Sequence, residues 1–269
     1  MVQQYGISEI VLLNDEVEKI IEEVRFKGYS IIRNIISLEE CLKINNKLEE
    51  IYSIQVEEIG KENLQKIQEL DVVRCPLYYD EKFVSLLTNN FILSVLQKLF
   101  QNKFILHLQN GIINRPYTKH HQTSWHRDIP YQEYTTSKPL SINVFYCLSP
   151  FNKQTGATQI LPYSHKYEKF PSINFVEQNA IHIEANPGDI VIFDSWLYHR
   201  ATPNVSNIVR YGLNHVFTLP ILKQQIDLPV FLNGKYNDDP ILQELLGYTF
   251  MTPKSVFEYR YKKMSKHGH

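Results

Sequence analysis

The chain has 269 residues, with 28 Lys and Arg against 29 Asp and Glu, and this near-neutral, interspersed charge excludes the basic footprint of a nucleic-acid binder. No uninterrupted apolar run is long enough to span a bilayer, and the N-terminus lacks the basic and apolar segments of a secretory signal, so a cytoplasmic protein with no membrane partner is expected. Cys41, Cys75 and Cys147 are odd in number and far apart, which excludes a disulfide framework or a zinc ribbon.

A helix is expected over 14–27, with Asn14 as its cap, Val17, Ile20, Ile21 and Val24 on one face, and Gly28 as its stop. A short strand over 29–33 follows. Ser37 and Glu40 form a capping-box pattern ahead of a second helix carrying Cys41, Ile44, Leu48, Ile51 and Tyr52 at helical spacing. Residues 56–70 are charged and weakly periodic, and 83–100 is helical in pattern with a break near Asn89 and Asn90. From about residue 103 the texture changes to short β-rich runs between turn clusters: 104–114, 141–148, 158–161, 180–184, 189–194 and 209–219. Six such runs predict a mainly β protein with flanking helices, its core a double-stranded β-helix of the jelly-roll, cupin-like kind. A single domain is expected over 1–269: a mostly helical flank at 1–102, the roll at 103–220, and a tail at 221–269 that covers it, with a helix from Asp239-Pro240 through Leu246.

Two stretches carry the chemistry. Within S-W-H-R-D-I-P, His126 and Asp128 are two positions apart, which on an extended strand places both side chains on one face. Further along, D-S-W-L-Y-H-R-A-T-P-N supplies His199. Two imidazoles and one carboxylate make the facial triad of a non-haem Fe(II) oxygenase, with the remaining coordination positions open. Arg210 follows, and its guanidinium can bind a carboxylate through two parallel hydrogen bonds at any working pH.

W-H-R-D at 125–128, G-A-T-Q-I-L-P-Y-S-H at 156–165, P-G-D-I-V-I-F-D at 187–194, and H-R-A-T-P-N with Arg210 behind it resemble, in order and spacing, the phytanoyl-CoA dioxygenase family of Fe(II)- and 2-oxoglutarate-dependent oxygenases. The resemblance spans about 104–219. It implies that His126, Asp128 and His199 ligate iron, and that Arg210 holds the distal carboxylate of 2-oxoglutarate. It also implies the family's reaction: O2 and 2-oxoglutarate give succinate and CO2 while an aliphatic carbon of a small-molecule or carrier-bound substrate is hydroxylated. Family members often carry glycine and serine after the distal histidine. Arg200 and Ala201 stand there in this chain, leaving Thr202 to compensate or Arg200 to face the substrate.

Gln109 and Asn114 occupy positions resembling those where relatives place amides near 2-oxoglutarate, Asn143 shares the alternating face of Ser141 and Phe145 and is a third candidate to touch the cosubstrate, and Tyr131 and Trp196 are candidates to line the substrate pocket. His120 and His121 are expected in a surface loop, and His165 in a turn or pocket wall. The competing functions are a jelly-roll metalloenzyme that does not oxidise, such as an isomerase or hydrolase, and a catalytically silent binding module on the same fold. The substrate and the oligomeric state are not written in any motif of this chain.

Overall fold

The computed structural model describes residues 6, 11–118, 121–129 and 132–267. His120, Tyr131 and His269 lie outside the described residues, as do the side chains of His121 and His267. The strands are β1 (Tyr29–Ile32), β2 (Val72–Arg74), β3 (Ile105–Asn114), β4 (Ser141–Cys147), β5 (Gln159–Ile160), β6 (Ile181–His182), β7 (Ile190–Asp194), β8 (His199–Arg200) and β9 (Arg210–Thr218). The helices are α1 (Glu16–Lys27), α2 (Leu38–Ile59), α3 (Lys61–Lys66), α4 (Lys82–Ser85), α5 (Asn90–Phe100), α6 (Ile173–Asn179), α7 (Leu228–Phe231), α8 (Pro240–Leu245) and α9 (Val256–His267).

The strands form an antiparallel six-stranded sheet in the order β1-β7-β4-β9-β3-β2 and a three-stranded sheet in the order β6-β5-β8. This is the jelly roll, opened rather than closed as a barrel, with helices on the outer face of the large sheet. Period-two alternation sorts its side chains. Ile142, Val144 and Tyr146 of β4 and Leu213 and Phe217 of β9 face outward, in one apolar cluster with Ile44 and Leu48 of α2 and Val95 and Leu96 of α5. Phe145, Val191 and Phe193 face inward, packing between the sheets with Phe151, Ile160 and Leu197.

The six expected β runs all contain strands, and the run near Tyr29 becomes an edge of the large sheet. The α1 cap is Asp15 rather than Asn14: its side chain accepts from Glu18 N at 3.2 Å. Ser37 caps α2 as expected, accepting from Glu40 N at 3.2 Å. Gly28 ends α1 at φ +90°, and a Cβ there would lie 2.7 Å from both His165 Nδ1 and Leu197 Cδ1, so α1 docks closely on the roll. That contact places His165 against α1, with Nε2 3.2 Å from Arg25 O, away from the mouth of the roll.

The other edge strand, β2, was not evident in the sequence, because three residues behind a charged stretch give no periodicity. The tail packs on the helix-covered side of the large sheet. Leu228, Leu232, Leu242, Leu245 and Leu246 join the outer cluster under the helices, while α9 stands exposed. Among the described residues no single helix is long and apolar enough to cross a membrane. The apolar α4–α5 stretch is apolar because Phe83, Leu87, Ile92 and Leu96 are buried.

Candidate metal centre

His126 and Asp128 do not sit on a regular strand. A single antiparallel bridge pairs His126 with His199, through His126 N–H to His199 O and the reverse bond, both at 3.0 Å. Asp128 N donates to Ser195 O at 3.2 Å. The backbone therefore reaches the same-face geometry expected of H-x-D through pairing with the segment that brings His199.

The ligand atoms of His126, Asp128 and His199 lie within 4.8 Å of one another. Asp128 Oδ1 is 3.7 Å from His126 Nε2 and 3.4 Å from His199 Nε2. Each imidazole is oriented by its other nitrogen: His126 Nδ1 lies 2.9 Å from Ser124 O, and His199 Nδ1 lies 2.9 Å from Leu197 O. A carbonyl can only accept, so Nδ1 carries the proton and Nε2 presents its lone pair to the centre. The second carboxylate oxygen, Oδ2, accepts from Asn143 Nδ2, while Asn143 Oδ1 accepts from Ser195 Oγ and Ser195 Oγ bonds Ser141 Oγ at 2.6 Å. Burial raises the Asp128 pKa, but His199, His126 and the Asn143 bond outweigh it and hold the carboxyl below the usual range. Burial lowers the His199 pKa and the Asp128 charge more than reverses it. Lone pairs of two imidazoles and a carboxylate that converge on one point repel one another unless a proton or a metal lies between them, so the donor set fits a divalent ion.

Arg210 opens β9 and is 1% exposed. It has no carboxylate partner among the described residues; its Nε is unpartnered and its guanidinium lies 4.8 Å over the Phe151 ring. Burial lowers its pKa from 12.5 to about 10. Arg210 lines a cavity of about 230 Å³ together with His126, Asp128, His199, Phe145 and Phe193. A buried cation facing a cavity without a counter-ion is a site for an anion.

The other residues singled out from the sequence divide by where the sheet points them. Asn143 reaches Asp128 and orients it. Gln109 does not line the cavity: it is on the helix-facing side of β3, donating to Phe83 O (2.9 Å) and accepting from Leu77 N (2.8 Å), beside His215 Nε2. Gln109 and Asn114 are an odd number of positions apart and so cannot share a strand face. Asn114 is on the inner side, but its amide donates to Gly156 O and Thr202 O, both at 3.3 Å, tying loops together. Thr202 Oγ1 donates to Ala157 O at 2.7 Å, so its hydroxyl is occupied. Arg200 turns away, bonding Gln159 Oε1 at 2.8 Å and stacking 4.8 Å over Trp125, and Trp196 is buried without lining the cavity. It is Ala201 that reaches the cavity wall.

Sequence reasoning missed Arg127, which is 2% exposed. Its guanidinium donates to Trp196 O (2.7 Å), Ser164 O (3.0 Å), Tyr167 O and Gln132 O, and stacks 4.1 Å over Tyr198. It pins the loops behind the H-R-D segment, using neutral carbonyls alone. Its position between two ligands was the one available signal. Also missed were Asn110 and Asn214 on the inner face, and His107, the extra residue of a β3 bulge between Leu106 and Leu108.

A family model described as Phytanoyl-CoA dioxygenase (PhyH) matches residues 24–212. The uncharacterized protein Rv1501 of Mycobacterium tuberculosis is 29% identical over 253 residues, 91% of this chain and 92% of that protein. Dioxygenase olcK of Penicillium canescens is 26% identical over 257 residues, covering 87% and 80% respectively. Among solved structures, the non-heme alpha ketoglutarate dependent epimerase SnoN from nogalamycin biosynthesis matches with a TM-score of 0.58 at 14% identity, over 75% of this chain and 80% of that one, which is a likeness of fold.

Proposed function

Because the chain belongs to the phytanoyl-CoA dioxygenase family, we propose that it is an Fe(II)- and 2-oxoglutarate-dependent dioxygenase that hydroxylates an aliphatic carbon of a small-molecule or carrier-bound metabolite. The observation that supports this most is Arg210, a buried guanidinium without a carboxylate partner among the described residues, in the same cavity as His126, Asp128 and His199. His126 Nε2, Asp128 Oδ1 and His199 Nε2 would hold Fe(II), and Arg210 would bind the distal carboxylate of 2-oxoglutarate. When bound, iron and 2-oxoglutarate supply the oxidising chemistry, in which one atom of O2 goes to succinate, with loss of CO2, and the other to the substrate carbon.

The chain's own residues do the rest. Ser124 O and Leu197 O keep both imidazoles in the tautomer whose Nε2 faces the centre. Asn143 keeps one carboxylate oxygen of Asp128 occupied so that the other is presented. Phe145, Phe193 and Ala201 make the wall apolar beside the ligands, which limits water there.

The test is anaerobic addition of Fe(II) and 2-oxoglutarate, followed by the visible metal-to-ligand charge-transfer absorption of the chelate. The band is expected in the native chain and weakened in Arg210→Ala. Bound iron with no band in the native chain would overturn the 2-oxoglutarate assignment and favour a metalloenzyme that does not oxidise.

A further inference from the structure

The register of the large sheet places three polar residues directly opposite one another on its inner face. Asn214 of β9 pairs with Asn110 of β3, and Asn110 pairs with Arg74 of β2. All three line the cavity, as does Gln225 beyond them. The row starts at the metal centre, since Asn143 Nδ2 bridges Asp128 Oδ2 and Asn214 Oδ1, the latter at 3.2 Å. It ends at the open edge of the sheet. Polar side chains on an inward sheet face replace apolar packing and require partners.

The row's internal bonds leave mostly donors for a ligand. Asn214 spends its oxygen on Asn143, and its Nδ2 has no partner among the described residues. Asn110, with its amide turned to satisfy its neighbours, accepts from Arg74 Nη1 at 2.7 Å and gives one N–H to Gln109 O at 2.8 Å. Gln225 Oε1 also accepts from Arg74 Nη1, at 3.3 Å, which leaves Gln225 Nε2 for other acceptors. Arg74 is neutralised by Glu69, which takes its Nε (3.0 Å) and Nη2. The N–H groups left for a ligand are those of Asn214 Nδ2, Gln225 Nε2 and the second N–H of Asn110, which Arg74 holds in place, and the strip carries no net charge.

We infer that Asn214, Asn110 and Arg74, with Gln225 at the rim, form the substrate-recognition strip, and that the substrate is a small molecule rich in hydroxyl or carbonyl oxygens rather than an alkyl chain. This rests on reading the cavity as a 2-oxoglutarate dioxygenase site, in which Arg210 takes the cosubstrate and the strip is left for the substrate. An alkyl chain laid on the strip would leave its donors unpaired, at about tenfold or more in affinity for each. Size agrees. A cavity of about 230 Å³ is below the ~300–1,000 Å³ usual for drug-sized ligands, and it must also admit 2-oxoglutarate.

The test uses two ring compounds of one skeleton, myo-inositol and cyclohexanol, with dissociation constants measured by ligand-observed NMR on the chain loaded with Zn(II) and 2-oxoglutarate. The native chain is expected to favour myo-inositol by about tenfold or more. Asn110→Leu/Asn214→Leu is expected to bring the two to parity. Gln225→Met, at the rim and outside the core, is expected to weaken myo-inositol several-fold without strengthening cyclohexanol, and serves if the double variant fails to fold. Absence of a tenfold preference in the native chain, or a preference that survives these substitutions, overturns the inference. The charge-transfer band is read on a parallel Fe(II) sample. A missing band with the preference intact refutes the cofactor assignment alone, and a band without the preference refutes the strip alone.

Discussion

Arg210 and Arg127 are equally buried, and replacing each with methionine is expected to act in opposite directions on the ligand-free protein. Arg210 has an unpartnered Nε and faces a cavity, whereas Arg127 donates to the carbonyls of Trp196, Ser164, Tyr167 and Gln132. The fall of the Arg210 pKa from 12.5 to about 10 corresponds to a burial penalty of about 3 kcal/mol on the charged form. The stacking on Phe151 lost with the guanidinium offsets about 1 kcal/mol of the gain. Arg210→Met should thus stabilise the ligand-free chain by about 1–2 kcal/mol, or roughly 4 °C in Tm. Arg127→Met removes a charge that is also disfavoured by burial, yet it leaves several carbonyls unpaired and should destabilise by about 3 kcal/mol or more. The assay is thermal unfolding of both variants with and without 2-oxoglutarate and Zn(II). At a hundred times its dissociation constant, 2-oxoglutarate should stabilise the native chain by about 2.7 kcal/mol and leave Arg210→Met unmoved, so the order of the two proteins inverts. An Arg210→Met protein that is less stable than native without ligand, or that still responds to 2-oxoglutarate, would refute the reasoning.

Other substitutions probe the supports of the site. Asn143→Leu should weaken metal binding about ten- to hundredfold in competition with a chelator, because Asp128 Oδ2 loses the bond that orients the carboxylate. Burial raises the pKa of Asp194 from 3.8 to about 6, against the pull of its bond from Trp196 N. Its protonated form is thus favoured in the fold, and the associated stability is present below about pH 4 and lost as pH rises through 6. Asp194→Asn should therefore gain up to about 3 kcal/mol on the native chain between pH 4 and pH 7.5, measured by denaturant unfolding at both pH values. Gly188→Ala should cost about 3 kcal/mol by the same measurement: at φ +94° a Cβ would lie 2.1 Å from Ile36 O, a backbone atom that cannot step aside.

Much of this protein is local in origin and was legible from the chain alone. The Gly28 helix stop, the Ser37 cap, the six β runs and the pairing of His126 with Asp128 depend on residues near one another in sequence, where spacing and side-chain chemistry act directly. The donor types also announced the chemistry, since two imidazoles, a carboxylate and a guanidinium have few joint uses. Even there the route differed from expectation, for His126 and Asp128 share a face through one bridge to His199 rather than through a strand of their own. What the tertiary structure decided is which polar groups meet. Gln109 and Asn114 looked alike in sequence, but the pleat sends one to the helices and the other to a loop junction. Asn110, Asn214 and Arg74 carried no motif, because the row they form exists only across three strands and is fixed by register. Likewise Thr202, Arg200 and Trp196, adjacent to the distal histidine in sequence, are turned from the cavity by bonds and packing that no local pattern encodes. Sequence neighbours of a ligand share its backbone, whereas neighbours in the site are chosen by strand order, pleat and the burial of charge.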